Sequence, residues 1–220
     1  MTLYALDDGE LTYAEDALPG KTYHCVDCFK ALKYRKGKVL AHFYHVNASI
    51  NCRLYSKTER HLLAQLQLQK IFPEGALQME RFFPKISRRA DLCWEEAKII
   101  FEIQCSPISE KEVAQRILDY RSLGYEVIWL LDDRRYNRSP PHPAEEFLLP
   151  LGQVYYISIR SGLYSEYYRK LQGKRLRVDL QNIQNLPKMP LPIQKNSFLI
   201  FQRIFSWLNK TTLRILAKRL

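Results

Sequence analysis

The sequence predicts a mixed α/β domain in which a helix, a three-strand meander, a second helix and a further strand follow one another. Three observations predict it. Apolar residues recur at helical spacing on either side of the centre, at Leu62, Leu63, Leu66 and Ile71, and again at Val113, Ile117 and Leu118. Between these stretches lie three short extended runs, broken by Pro84 and by Glu95-Glu96. After the second helical stretch, Tyr125 to Leu131 is almost wholly apolar, as a strand covered on both faces should be.

The elements follow in order. Ser56 with Glu59 three residues on carries a capping-box signature, and the helix it opens ends at Phe72-Pro73. Leu77 to Phe83, Arg89 to Trp94 and Lys98 to Cys105 are the meander, the last strongly β-branched at its start. Ser109 and Glu112 cap the second helix, and Gly124 stops it. The strand that follows can then lie parallel to a neighbour through a right-handed crossover. Four zones result: a Tyr-, Cys- and His-rich segment over 1–55, the α/β core over 56–135, a Pro-rich connector with one more strand over 136–168, and a basic extension over 169–220.

Composition narrows the function classes. The chain has 220 residues, 46% apolar and 26% charged, which excludes a disordered, collagenous or coiled-coil protein. Its net charge of +11 favours a polyanionic partner. The excess is local: residues 1–168 hold 22 basic and 22 acidic residues, and residues 169–220 hold 12 basic residues and one acid, Asp179. No basic, apolar targeting segment opens the chain and no apolar run approaches the ~20 residues of a membrane span, so a cytoplasmic location is expected. There the five cysteines read as thiols or metal ligands rather than a disulfide framework.

Asp91 and Glu102 fall in consecutive strands joined by a turn near residues 94–98. Strand side chains alternate, so Phe101, Ile103 and Cys105 share one face, and Glu102 and Gln104 share the other. Asp91 then lands near Glu102 across the hairpin. Two facing carboxylates repel unless a cation lies between them. Oxygen ligands suit Mg²⁺ or Mn²⁺, and such an ion can activate water and neutralise phosphate charge. The alternative is two ordinary solvent-face residues.

Arg89-Ala90-Asp91, Phe101-Glu102-Ile103-Gln104-Cys105-Ser106, Arg116-Ile117-Leu118-Asp119-Tyr120 and Val127-Ile128-Trp129-Leu130-Leu131 together resemble the core of the competence protein CoiA family, which belongs to the PD-(D/E)XK nuclease-like fold. The resemblance spans roughly residues 20–135. It implies a restriction-endonuclease-like core, a metal held by Asp91 and Glu102, and a role in DNA uptake during transformation and in recombination. Gln104 stands where the wider superfamily usually has lysine; glutamine can orient a water but adds no charge. The family tends to place glutamate four residues before the helix histidine, His61, and that position here is Lys57. The nearest acid, Glu59, is either a further ligand or only a capping residue. Arg116 and Tyr120 share a helix face and, by the resemblance, contact DNA, single-stranded or at processed ends; otherwise they are a surface arginine packed along a ring. Ser106 binds phosphate or merely begins a loop.

Cys25, Cys28, His42 and His45 have the spacing C-x2-C-x13-H-x2-H. This resembles tetrahedral, structural zinc ligation in a segment too short to build a core, and the CoiA family carries a similar pattern. His24 and Cys52 are reserve ligands. In the basic extension, aromatics alternate with cations around Tyr167 to Arg177, and helical apolar spacing runs from Phe198 to Leu208 and again from Leu213 to Leu216. It can bind nucleic acid, pack on the core, or lie on an anionic membrane. Three function classes follow: a metal-dependent deoxyribonuclease, a non-catalytic DNA-binding recombination accessory that keeps the fold, and a zinc-stabilised protein adaptor for recombination proteins.

Overall fold

A computed structural model describes residues 1–55, 57–151 and 154–159 and, beyond these, the backbone of two strands at 165–171 and 174–177; among the described residues it has a five-stranded sheet, a seven-stranded sheet, a two-stranded ribbon and three α-helices. The N-terminal sheet is antiparallel. Its strands are β1 (Tyr4–Asp7), β2 (Glu10–Tyr13), β3 (Thr22–His24), β4 (Ala31–Arg35) and β5 (His42–His45), in the order β2-β1-β3-β4-β5. Its core is small: Ala5, Tyr23, Leu32, Phe43 and Leu54 with the thiols of Cys25 and Cys52. The turn into β5 requires Gly37, which has φ +61°, and a Cβ there would lie 2.2 Å from the Leu40 carbonyl oxygen.

Helix α1 (Glu59–Ile71) follows. Its cap is Thr58, whose hydroxyl accepts from the His61 amide, so the helix begins later than a Ser56 cap would place it; Ser56 lies outside the described residues. Next come β6 (Gln78–Met79), the short ribbon β7 (Phe82–Phe83) with β8 (Arg88–Arg89), then β9 (Leu92–Trp94) and β10 (Ile99–Gln104). Helix α2 (Glu110–Ser122) is capped by Ser109, which accepts from the Glu112 amide, and ends before Gly124 at φ +82°. β11 (Glu126–Asp132) returns parallel to β10. Helix α3 (Pro143–Leu148) leads to β12 (Val154–Ile159), parallel to β11. β13 (Ser165–Leu171) and β14 (Lys174–Arg177) extend the edge, giving the order β14-β13-β12-β11-β10-β9-β6. The first residues of the basic extension are thus sheet; the remainder of it, with the apolar spacings after residue 197, lies outside the described residues.

The period of two divides the larger sheet between two cores. Ile100, Val127, Trp129, Leu131 and Tyr156 face α2 and α3; Phe101, Ile103, Ile128, Leu130 and Ile157 face α1. One polar link ties α1 to the sheet from the side. Arg60 forks onto buried Asp132 (Nε–Oδ2 2.6 Å, Nη2–Oδ1 2.7 Å) and donates to the Ile159 carbonyl. Truncating Arg60 to alanine leaves that carboxylate buried and unpaired, so a loss of about 3 kcal/mol is expected in urea unfolding. Among the described residues, no helix is long and apolar enough to cross a membrane.

Candidate functional site

The β9–β10 register (Ile99↔Trp94, Ile100↔Cys93, Phe101↔Leu92) sets Asp91 opposite Glu102 one step beyond its last pair. The two carboxylates nevertheless turn to different helices. Asp91 reaches α1. One oxygen, Oδ1, accepts from the Lys57 ammonium and lies 3.0 Å from His61 Nε2; the other accepts from the Ile103 amide at 2.8 Å. Glu102 reaches α2, accepting from Arg116 Nη1 at 2.6 Å and from the Tyr120 hydroxyl at 2.9 Å. Both acids are buried, at 5% and 1% exposure.

The Asp91 end holds two residues that spacing alone did not reveal. Glu80 sits just before the β7–β8 ribbon at φ +54° and is buried. Its Oε1 accepts from Lys57 Nζ and from Gln65 Nε2, each at 2.6 Å, while its Oε2 has no partner among the described residues. His61 projects from the first turn of α1. His61, Glu80 and Asp91 offer ligand atoms within 4.8 Å of one another, a group that could hold a metal ion. Glu102 stands outside that group. The Lys57 ammonium already stands within reach of all three: it touches Asp91, lies 2.6 Å from Glu80 and lies 3.0 Å from His61. The donor types suit a divalent ion, but only with that ammonium moved away.

Electrostatics separate the two acids. Burial alone would raise the Asp91 carboxyl; His61 and Lys57 outweigh it and hold the group well below the usual carboxylate range. Burial would likewise lower the Lys57 ammonium, and Asp91 and Glu80 overcome it and keep Lys57 charged. At Glu102 burial prevails. Arg116 pulls the carboxyl down, yet it is pushed up to about 7.

The remaining expected site residues are placed as follows. The Gln104 amide donates to the Ser106 carbonyl (2.7 Å) and hydroxyl (3.2 Å), so it is spent on the loop rather than turned to the acids. Ser106 is exposed, and its carbonyl also accepts from Tyr136. Glu59 opens α1 without lining the cleft. Tyr120 is fully buried, and its hydroxyl donates to Glu102. Arg116 does line the cleft.

That cleft has a volume of about 590 Å³ and lies between the N-terminal sheet's last loop and the α/β core. Lys57, Arg53, Arg88, Arg89 and Arg116 line it, with Glu80, Asp91 and Glu112. Asp27, in the loop between β3 and β4, pairs with Arg53 of its own part (3.2 Å) and reaches across to Arg89 of the α/β core (3.2 Å).

The same loop contributes Cys25 and Cys28 to a second constellation, completed by His45 of β5 and by Cys52 beyond it. Cys25, Cys28, His45 and Cys52 form a Cys₃His group that could bind zinc. Cys25 Sγ lies 3.6 Å from Cys52 Sγ, and Cys28 Sγ lies 3.3 Å from His45 Nε2. Tetrahedral zinc with bonds of ~2.0–2.3 Å places neighbouring donors roughly that far apart. The Asp27 amide donates to Cys25 Sγ, orienting the sulfur. His42 is not in the group: its Nδ1 is bonded to the Leu40 carbonyl, on the tight Gly37 turn. Cys52, a reserve ligand by sequence, takes its place. His42 and His45 differ by an odd number along strand β5, so their side chains point to opposite faces, and only one can meet the cysteines.

No curated protein and no solved structure matches the chain. A family model does: residues 57–148 match that of the competence protein CoiA nuclease-like domain. The matched stretch begins at Lys57 and contains α1, the Asp91 and Glu102 strands, α2, β11 and α3. Over these residues, somewhat less than half of the chain, the protein is similar to the CoiA nuclease-like domain.

Proposed function

We propose that the protein binds DNA in this cleft, as a nuclease-fold component of competence-type DNA uptake and recombination that grips the phosphodiester backbone. One observation carries the reading: five cationic side chains from the N-terminal part, the β7–β8 ribbon and α2 converge on a single cleft. Each of the arginines is pre-positioned by acids, Arg88 by Glu112 at 2.6 Å and Asp119 at 2.7 Å. A backbone phosphate can accept from such fixed forks, and the capped start of α2 at Ser109 faces the same space. The non-catalytic reading is favoured because both acids are already neutralised by the protein, Asp91 by Lys57 and Glu102 by Arg116.

The test is fluorescence anisotropy of labelled single- and double-stranded DNA in EDTA across a salt series, with the full chain. Affinity is expected to fall steeply with salt. Arg88→Ala and Arg53→Ala should each weaken binding evenly across sequences and reduce the salt slope by about one. Salt-independent association, or no affinity for either form, overturns the proposal and favours the adaptor class.

A second reading keeps one specific support, the His61, Glu80 and Asp91 donors within 4.8 Å. It is Mg²⁺- or Mn²⁺-dependent cleavage, with Asp91 and Glu102 toward the ion and Gln104 toward a water. The ion would supply phosphate neutralisation and an acidified water. Nicking of supercoiled DNA by the wild type and not by Glu102→Ala selects this reading; no nicking by either selects the first.

A further inference from the structure

We propose that Lys57 is a tethered cation standing in the place of a divalent ion, so that the His61, Glu80 and Asp91 group is closed to metal in this chain. This deepens the binding reading of the same cleft, and it is tested without DNA.

The geometry carries the inference. One Nζ contacts a carboxylate oxygen of Asp91, a carboxylate oxygen of Glu80 and the Nε2 of His61. Those are the three residues whose ligand atoms cluster within 4.8 Å. A surface lysine pairs with one acid and keeps its hydration. Here the side chain is 11% exposed and the partner acids 8% and 7%. Two carboxylate oxygens and an imidazole nitrogen gathered around one buried ammonium is the arrangement of an ion and its ligands, with the ion attached to the chain. The fit is incomplete in a telling way. Lys57 Nζ lies within hydrogen-bond distance of one oxygen of each acid and of the His61 ring, and Glu80 Oε2 is left buried with no partner among the described residues. The site therefore has more acceptor capacity than the ammonium satisfies, as expected where a group suited to a larger charge holds a single one.

Two positive charges cannot share the space. At contact distance inside a protein an ammonium repels a divalent ion strongly, so metal entry requires the lysine to leave and to be desolvated elsewhere. The protein thereby obtains the ordering effect of an ion at the strand end without depending on its supply. The charge position 104 lacks is also present nearby, carried by the chain preceding α1.

The experiment titrates Mn²⁺ and Mg²⁺ into the zinc-loaded full chain, read by Mn²⁺ electron paramagnetic resonance and by thermal unfolding. Thiolates prefer zinc over these ions, which keeps the Cys₃His group out of the measurement. Wild type is expected to bind no Mn²⁺ at millimolar levels and to show no thermal shift. Lys57→Met and Lys57→Glu should gain affinity, on the order of 100-fold or more. Either variant, if destabilised, should recover its melting temperature on adding Mn²⁺, a response the wild type lacks. Wild-type Mn²⁺ binding as tight as the variants', or variants that neither bind nor recover, overturns the proposal. Loss of DNA affinity in EDTA would overturn the binding reading alone, because the titration contains no DNA.

Discussion

Replacing Cys52 by serine is expected to empty the N-terminal zinc group and unfold the sheet over β1–β5, while the α/β core persists. The reason is magnitude. The module's own core is a handful of small and aromatic side chains around Tyr23 and Phe43, too little apolar area to order some fifty residues unaided. Structural zinc supplies ~10–16 kcal/mol of apparent binding energy in such modules, so its loss exceeds the stability of the whole segment. Zinc content after gel filtration should be one ion per chain in the wild type and near zero in Cys52→Ser and His45→Ala. His42→Ala should keep its zinc, since that imidazole is bonded to Leu40 and lies outside the group. Hydrogen exchange should show protection lost over the first fifty-five residues. Full zinc retention in Cys52→Ser would restore the set with His42. Unfolding should also loosen the cleft, because Asp27 of this module anchors Arg53 and Arg89.

The contrast between His42 and Cys52 shows where sequence patterns stop. The Cys25–Cys28 pair was legible as part of a group able to hold a metal, because two thiols with two residues between them have few other uses. The completing ligands were not, because spacing says nothing about which face of β5 meets the cysteines or that the chain after β5 returns Cys52 to them. Similar limits hold in the core. The Ser109 cap, Gly124 and the apolar run Val127 to Leu131 inside β11 are local signals and correspond to the observed elements. The hairpin offset that opposes Asp91 to Glu102 was readable from period two and the turn near Glu95. What period two could not say is that each acid would find its own cation, Lys57 just before α1 for Asp91 and Arg116 on α2 for Glu102. Glu80 was invisible for a further reason. It lies in no strand, and only the left-handed backbone at that residue turns its side chain inward. Lys57 was legible as a departure from the family's glutamate, but not as the partner of Asp91.

That partnership sets the second large effect. Asp91→Ala is expected to cost about 3–5 kcal/mol, measured by urea unfolding at neutral pH, because it strips Lys57 of a carboxylate and leaves a buried ammonium; the Ile103 amide loses its acceptor as well. Asp91→Asn keeps the shape and an acceptor for Ile103 and should cost less. The pH dependence separates the two acids by sign. Asp91 has a depressed pKa in the folded protein. Its contribution is therefore complete above the unfolded value of about 3.9 and is lost as pH falls below it. Glu102 is raised from 4.5 to about 7. The folded state then binds the extra proton, so its contribution is complete below about 4.5 and declines as pH rises through about 7. Wild-type stability should accordingly fall at both ends, on the acid side through Asp91 and towards neutrality through Glu102. Asp91→Asn should flatten only the acid limb, and Glu102→Gln only the decline between about 4.5 and 7. A neutral limb unchanged in Glu102→Gln would mean that Arg116 and Tyr120 keep that carboxylate ionised despite its burial. An acid limb unchanged in Asp91→Asn would mean that Lys57 does not depend on Asp91 for its place in the core.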